Sequence, residues 1–144
     1  MKRVLFVCTG NTCRSPMAEA ILKSKNVEGV EVRSAGIFAS NGNDASGHAK
    51  EILTENKMNH DHQSSSLTES EIKWATIILT MTSAHKEAII LKFPNASQKT
   101  FTLKEFTGES ENLDVSDPYG GDIHVYRRTF KELGDLIDKA LKKI

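Results

Sequence analysis

Apolar and polar positions fall in blocks along this chain, and the period of the pattern changes from block to block. Lys2–Val7 is a short β-branched apolar run and reads as a buried strand. From Pro16 to Lys25, Met17, Ala20 and Ile21 recur at helical spacing, with Ser15 as the expected N-cap and Pro16 in the first turn. Val30–Arg33 alternates like a second strand. Asp44–Lys57 carries His48, Ile52 and Leu53 in helical register, with Asp44 or Ser46 as the cap. Thr68-Glu69-Ser70-Glu71 is a capping box that Leu67 can staple, and it opens a short helix to Trp74. Thr76–Met81 reads as a central strand, Ser83–Phe93 as a helix halted by Pro94, and Lys99–Thr102 as a fourth strand. Thr107–Gly121 is polar and contains glycine, so it reads as a long loop, and long loops in compact domains are usually functional. Ile123–Leu141 closes the chain as an amphipathic helix presenting Val125, Phe130, Leu133, Leu136, Ile137 and Leu141.

Strands alternating with helices predict an α/β fold, one three-layer domain over residues 1–144 with a parallel sheet covered on both faces. Ligands of such sheets bind beyond the carboxyl ends of the strands, which is where the connection after the first strand lies. The length of 144 residues, with 38% apolar and 26% charged positions, suits a globular core and argues against disorder. Nineteen basic residues balance nineteen acidic ones, so no global field recruits nucleic acid or an anionic membrane, and any anion site must be local. No apolar run is long enough to span a bilayer, and the run after Met1-Lys2-Arg3 is too short for a signal peptide, so a cytoplasmic location is expected. The five histidines form no metal set: His60 and His62 flank Asp61 in what reads as a solvated loop, and neither a metal nor a cofactor is expected. A monomer is the simpler expectation.

The candidate chemistry sits in Cys8-Thr9-Gly10-Asn11-Thr12-Cys13-Arg14-Ser15, directly after Val4-Leu5-Phe6-Val7. Backbone N–H groups of a tight loop can surround a bound phosphate, so Thr9 to Ser15 are the phosphate-binding candidates, and the following helix adds its positive end. Arg14 can clamp two phosphate oxygens with its planar fork. Cys8 supplies a sulfur nucleophile that such positive charge keeps ionised. Gly10 is expected to supply a positive φ for the curl, and Asn11 tolerates the left-handed region and can brace the loop. Ser15 can donate its hydroxyl to the sulfur as well as cap the helix. Cys13 is either a small packing residue or the partner of Cys8 in a reversible, protective disulfide.

Val7-Cys8-Thr9-Gly10-Asn11-Thr12-Cys13-Arg14-Ser15-Pro16 near the start, with Asp117-Pro118-Tyr119 late in the chain, resembles the low-molecular-weight protein-tyrosine phosphatase family over essentially the whole length. The resemblance implies a sheet of strand order 2-1-3-4 and a metal-free phosphatase acting on phosphorylated proteins. It also favours Asp117 as general acid over a plain turn residue, with Asp114 as the nearest competitor. It suggests that Ser34 supports Asn11, although a solvated turn serine reads equally well from the residues.

Thr12 stands where tyrosine-directed members commonly carry an isoleucine-like residue, and threonine here is similar to the protein-arginine phosphatase branch. A hydroxyl suits a planar guanidino group, whereas an isoleucine would leave its N–H groups against hydrocarbon. Phe38 and Tyr119 are candidates for walls of the entrance, with Phe38 equally readable as core. Phosphoarginine in proteins is therefore the expected substrate, with phosphotyrosine second. Arsenate reduction lacks the downstream cysteines it needs, a phosphocarrier does not need Asp117, and a non-catalytic phosphate-binding module does not need the intact set of Cys8, Arg14 and Asp117.

Overall fold

The computed structural model describes residues 1–58 and 62–144, so His60 and Asp61 lie outside the described residues. Four parallel strands, β1 (Lys2–Cys8), β2 (Val30–Gly36), β3 (Ile77–Thr80) and β4 (Thr100–Thr102), form one sheet of order β2-β1-β3-β4. The chain winds from β1 to one edge and then crosses to the other, so β1 and β3 flank the point where the strand order reverses. That is the expected order, and it locates the ligand crevice at the carboxyl ends of β1 and β3.

Residues of β1 alternate between two cores, as the pleat demands. Val4 and Phe6 pack with Met17 and Ile21 of α1 (Arg14–Ser24), Ile52 of α2 (Gly47–Glu55), Leu103 of α5 (Leu103–Phe106) and Leu133 and Ile137 of α6 (Ile123–Leu141). Leu5 and Val7 point the other way, onto Ile72 of α3 (Glu69–Trp74), Ile89 of α4 (Ser83–Lys92) and Ala96 of a 3-10 turn at Pro94–Lys99. Both faces of β1 are buried, which explains its continuous apolar run. Among the described residues, no helix is long and apolar enough to cross a membrane.

Several boundaries move for identifiable reasons. α1 begins at Arg14 after Cys13, whose side chain makes no cap bond, so Ser15 lies inside the first turn and is not the N-cap. Its hydroxyl is taken by Cys8 and Asn11. Ser46 is the cap of α2, accepting from Ala49 N at 3.3 Å, whereas Asp44 pairs with Lys50 at 3.0 Å. The Thr68 box forms as expected: Glu71 accepts from the Thr68 N–H at 3.1 Å and from its hydroxyl, while Leu67 and Ile72 share one core. A second box, in which Glu105 accepts from Thr102 N at 2.9 Å and Thr102 Oγ1 accepts from Glu105 N at 3.0 Å, opens the unexpected single turn α5.

Candidate active site

Cys8 ends β1 opposite Gly36, and the next five residues curl before α1 starts. The curl is turned by Asn11, which takes φ 57°, and not by Gly10, whose φ is not positive. The glycine that the loop does require is Gly36. A Cβ there would lie 2.6 Å from Thr9 O and 2.9 Å from Asn11 N, so a side chain at this position would push into the loop backbone. Ile37 N and Phe38 N donate to Cys8 O and Thr9 O at 3.0 and 2.9 Å, tying the start of the curl to the end of β2.

Asn11 is fully buried, and every polar group of its side chain is used. Oδ1 accepts from Ser65 N at 2.8 Å, which assigns the amide, and Nδ2 donates to Ser15 Oγ at 2.8 Å and Ser34 Oγ at 2.9 Å. The direction of the whole network follows. Ser34, having accepted from Asn11, donates to Glu19 Oε1 at 2.5 Å. Ser15, having accepted from Asn11, has its own proton left for Cys8 Sγ, 2.8 Å away. Ser34 is thus a buried partner of Asn11, not a solvated turn residue.

Glu19 anchors this network from α1. Burial pushes its carboxyl up, but hydrogen bonds from His62, Lys23 and Ser34 outweigh that and hold it at about 2. His62 Nε2 donates to the Asn11 carbonyl at 2.7 Å while Nδ1 lies 3.5 Å from Glu19 Oε1. This corrects the solvated-loop reading of His62, whose side chain is only 11% exposed behind the loop.

Arg14 is buried, donates through Nη1 to Val115 O at 2.9 Å, and places Nη2 3.6 Å from Asp117 Oδ2. Asp117 is half exposed, and its other oxygen accepts from Tyr119 N at 3.0 Å. Its competitor Asp114 is engaged elsewhere, accepting from Ser83 N at 2.8 Å at the start of α4. Cys8, Thr9, Thr12, Arg14, Asp117 and Tyr119 come together around a hollow of about 260 Å³, joined by Gly10 and Cys13. The expected nucleophile, clamp and acid therefore share one cavity. Phe38 does not line it, and at 83% exposure it is not a core residue either.

Cys13 is a free thiol, as is Cys8, and it faces Tyr126 Oη at 3.4 Å and Ser46 Oγ at 3.5 Å. Burial and then the Cys13 contact push the Tyr126 hydroxyl up to about 12, so it remains a neutral hydrogen-bonding group. His85, on the first turn of α4, reaches Thr9 Oγ1 through Nε2 at 2.9 Å. Glu19, Gly36, His62 and His85 had not been singled out as site residues. The one readable signal among them is Glu19, a carboxylate one turn after Ser15 and between the apolar residues of α1.

Comparison with known proteins finds phosphatases along the length of this chain. A relative from Geobacillus stearothermophilus named protein-arginine-phosphatase is 53% identical over 142 residues, covering 99% of this chain and 95% of the relative. A low-molecular-weight protein-tyrosine-phosphatase, PtpB, from Staphylococcus aureus is 42% identical over 137 residues, 95% of each chain. A solved structure of the YwlE arginine phosphatase, a cysteine-to-serine mutant with phosphorylated active-site serine, superposes with a TM-score of 0.93 at 46% identity, covering 98% of this chain and 94% of that one. The model of the low molecular weight phosphotyrosine protein phosphatases matches residues 3–144, and this chain belongs to that family of cysteine-dependent phosphoprotein phosphatases.

Proposed function

We propose that this single domain hydrolyses phosphoarginine in proteins, with Cys8 as nucleophile, Arg14 as oxyanion clamp and Asp117 as general acid and base. The observation that carries the assignment is the directed chain Asn11–Ser15–Cys8, in which the Ser15 hydroxyl is left to donate a hydrogen bond to the sulfur lining the hollow. In the first step the sulfur attacks phosphorus, an S–P bond forms and the P–N bond breaks, and Asp117 gives its proton to the departing nitrogen. In the second step water attacks phosphorus, its proton passes to the Asp117 carboxylate, and the S–P bond breaks. The Ser15 hydroxyl stabilises the sulfur as it leaves. Arg14 and the loop amides take up the charge on the equatorial oxygens in both steps. A guanidinium leaving group is cationic, and the Asp117 carboxylate suits it.

The choice of phosphoarginine rests on Thr12, which lines the hollow and offers a hydroxyl to the guanidino N–H groups. The 53% identical relative named for that substrate points the same way. Tyr119, exposed at the rim, supplies a flat wall for either a guanidino group or a phenyl ring. Steady-state turnover of phosphoarginine and phosphotyrosine peptides, compared in wild type and Thr12→Ile, tests the reading. The wild type is expected to favour phosphoarginine, and Thr12→Ile to shift the ratio toward phosphotyrosine. An unchanged ratio refutes the role of Thr12, and a wild type that prefers phosphotyrosine makes the chain a tyrosine phosphatase.

A further inference from the structure

We propose that His85 is a positioning residue that turns the Thr9 hydroxyl toward the bound phosphoryl group, so that Thr9 contributes a side-chain donor beside the loop amides. The inference rests on the phosphatase reading above.

His85 stands where three segments meet. It is three residues past Thr82, the cap of α4, and its N–H donates to Thr82 Oγ1 at 3.1 Å. Because β1 and β3 are neighbours, the turn after β3 emerges beside the phosphate loop, and His85 Nε2 crosses to Thr9 Oγ1 at 2.9 Å. The same turn holds the acid loop: Met81 O accepts from Val115 N at 2.8 Å, and Ser83 N donates to Asp114 Oδ1 at 2.8 Å. The charged groups acting on the ring are Arg14, Asp114 and Asp117. A side chain on this turn is thus set against both halves of the catalytic apparatus.

The hydrogen bond has a preferred direction. Burial, then the Arg14 charge, lowers His85 to about 4, and the positive end of α4 acts in the same sense, so the ring is neutral and carries one N–H. Nδ1 is buried without a partner among the described residues. A proton on Nδ1 would be an unpaired buried donor, the rarer defect in folded proteins, and the Thr9 proton would be used up on Nε2. With the proton on Nε2, His85 donates to Thr9 and the hydroxyl proton is left over. Thr9 is solvent-accessible and lines the hollow, where phosphoryl oxygens are acceptors only. The contact is therefore to the phosphoryl group and not to the leaving group, unlike that of Thr12.

The test is a double-mutant cycle on kcat/KM with phosphoarginine and phosphotyrosine peptides. Thr9→Val should lose roughly 10- to 100-fold, the effect of one hydrogen bond to a charged group, and by the same factor on both substrates. Thr9→Ser should restore most of it. His85→Leu should lose a comparable amount, His85→Gln less, and Thr9→Val/His85→Leu no more than Thr9→Val alone. Additive losses, or a Thr9→Val enzyme as active as wild type, overturn the proposal. So does an Nδ1–H tautomer of His85 seen in wild type by ¹H–¹⁵N NMR, a readout that does not depend on any variant folding. If wild type turns over neither peptide, the phosphatase reading has failed instead. Inorganic phosphate binding then decides this one, since it should weaken in Thr9→Val and not in Thr9→Ser.

Discussion

The two loops that meet over Cys8 are built on opposite plans. The phosphate loop is over-determined from behind: Asn11 is fully buried with all side-chain polar groups paired, Gly36 leaves no room at its back, and Glu19 and His62 brace it. The acid loop after α5 is held by a few bonds to Met81, Ser83 and Arg14, and it carries Asp117 half in solvent. The difference follows from what each must do. An oxyanion site gains by being fixed before charge develops, because its dipoles then need no reorganisation. A general acid has to reach a leaving atom whose place varies with the substrate, so exposure is compatible with its role.

Replacing the sulfur separates chemistry from shape most completely. Cys8→Ser should abolish turnover, since serine is a far poorer leaving group than a thiolate and a phosphoserine ester is not released to water, yet keep inorganic phosphate binding near the wild-type level. None of the bonds that fix Asn11 runs through Cys8, so the loop should stay folded. Calorimetric titration with phosphate, beside a turnover assay, reads both. Lost binding would mean that the sulfur itself holds the loop, and the contrast between the two plans would disappear.

Next in size is the acid. Asp117→Asn should slow hydrolysis of a substrate with a poor leaving group by roughly 10²–10⁴, with a thermal midpoint close to wild type, because its side chain is half exposed. Asp114→Ala, which removes the acceptor for Ser83 N, should do the reverse, keeping most activity while weakening the start of α4 by about 0.5–2 kcal/mol. Measuring kcat and Tm for both variants checks the pair, and an exchange of the two outcomes would move the acid role to Asp114.

Much of this was legible because it is local. The strand, the eight-residue loop and the helix that follow one another from Lys2 can be read in a single window, and Asp117-Pro118-Tyr119 stands out in a polar stretch. The strand order came from the family resemblance. What escaped notice acts across the chain. His85 reaches Thr9 over 76 positions, and His62 reaches Asn11 over 51. Ser15 looked like a cap because caps are a local habit of serine, but its hydroxyl is claimed by Cys8 and Asn11. The positive φ expected of Gly10 is absent, while Asn11, expected to tolerate that region and to brace the loop, does both with φ 57° and a fully paired side chain. The single-turn helix α5 could have been read from Thr102-Leu103-Lys104-Glu105, a capping box with almost no helix behind it.

An effect on stability and not on turnover concerns what the bracing costs in acid. Glu19 sits at about 2 in the folded chain against 4.5 in the unfolded one, because the bonds from His62, Lys23 and Ser34 require its charge. The folded state therefore binds fewer protons than the unfolded state in this window. The stabilisation is complete above pH 4.5 and is lost as pH falls toward 2, a swing of order 3 kcal/mol. His85, lowered from 6.5 to about 4, adds an earlier limb of the same sign between those two values. Glu19→Gln removes the later limb and leaves the earlier one. Urea unfolding at pH 7, 4.5 and 3 should find wild type the more stable at pH 7 and 4.5, with the gap cut by about half at pH 3. Glu19 is held by His62, Lys23 and Ser34 and not by the acid loop, so Asp117→Asn should keep the later limb. Parallel curves for Glu19→Gln and wild type would show that the carboxylate does not brace the phosphate loop, and that its rigidity comes from Asn11 and Gly36 alone.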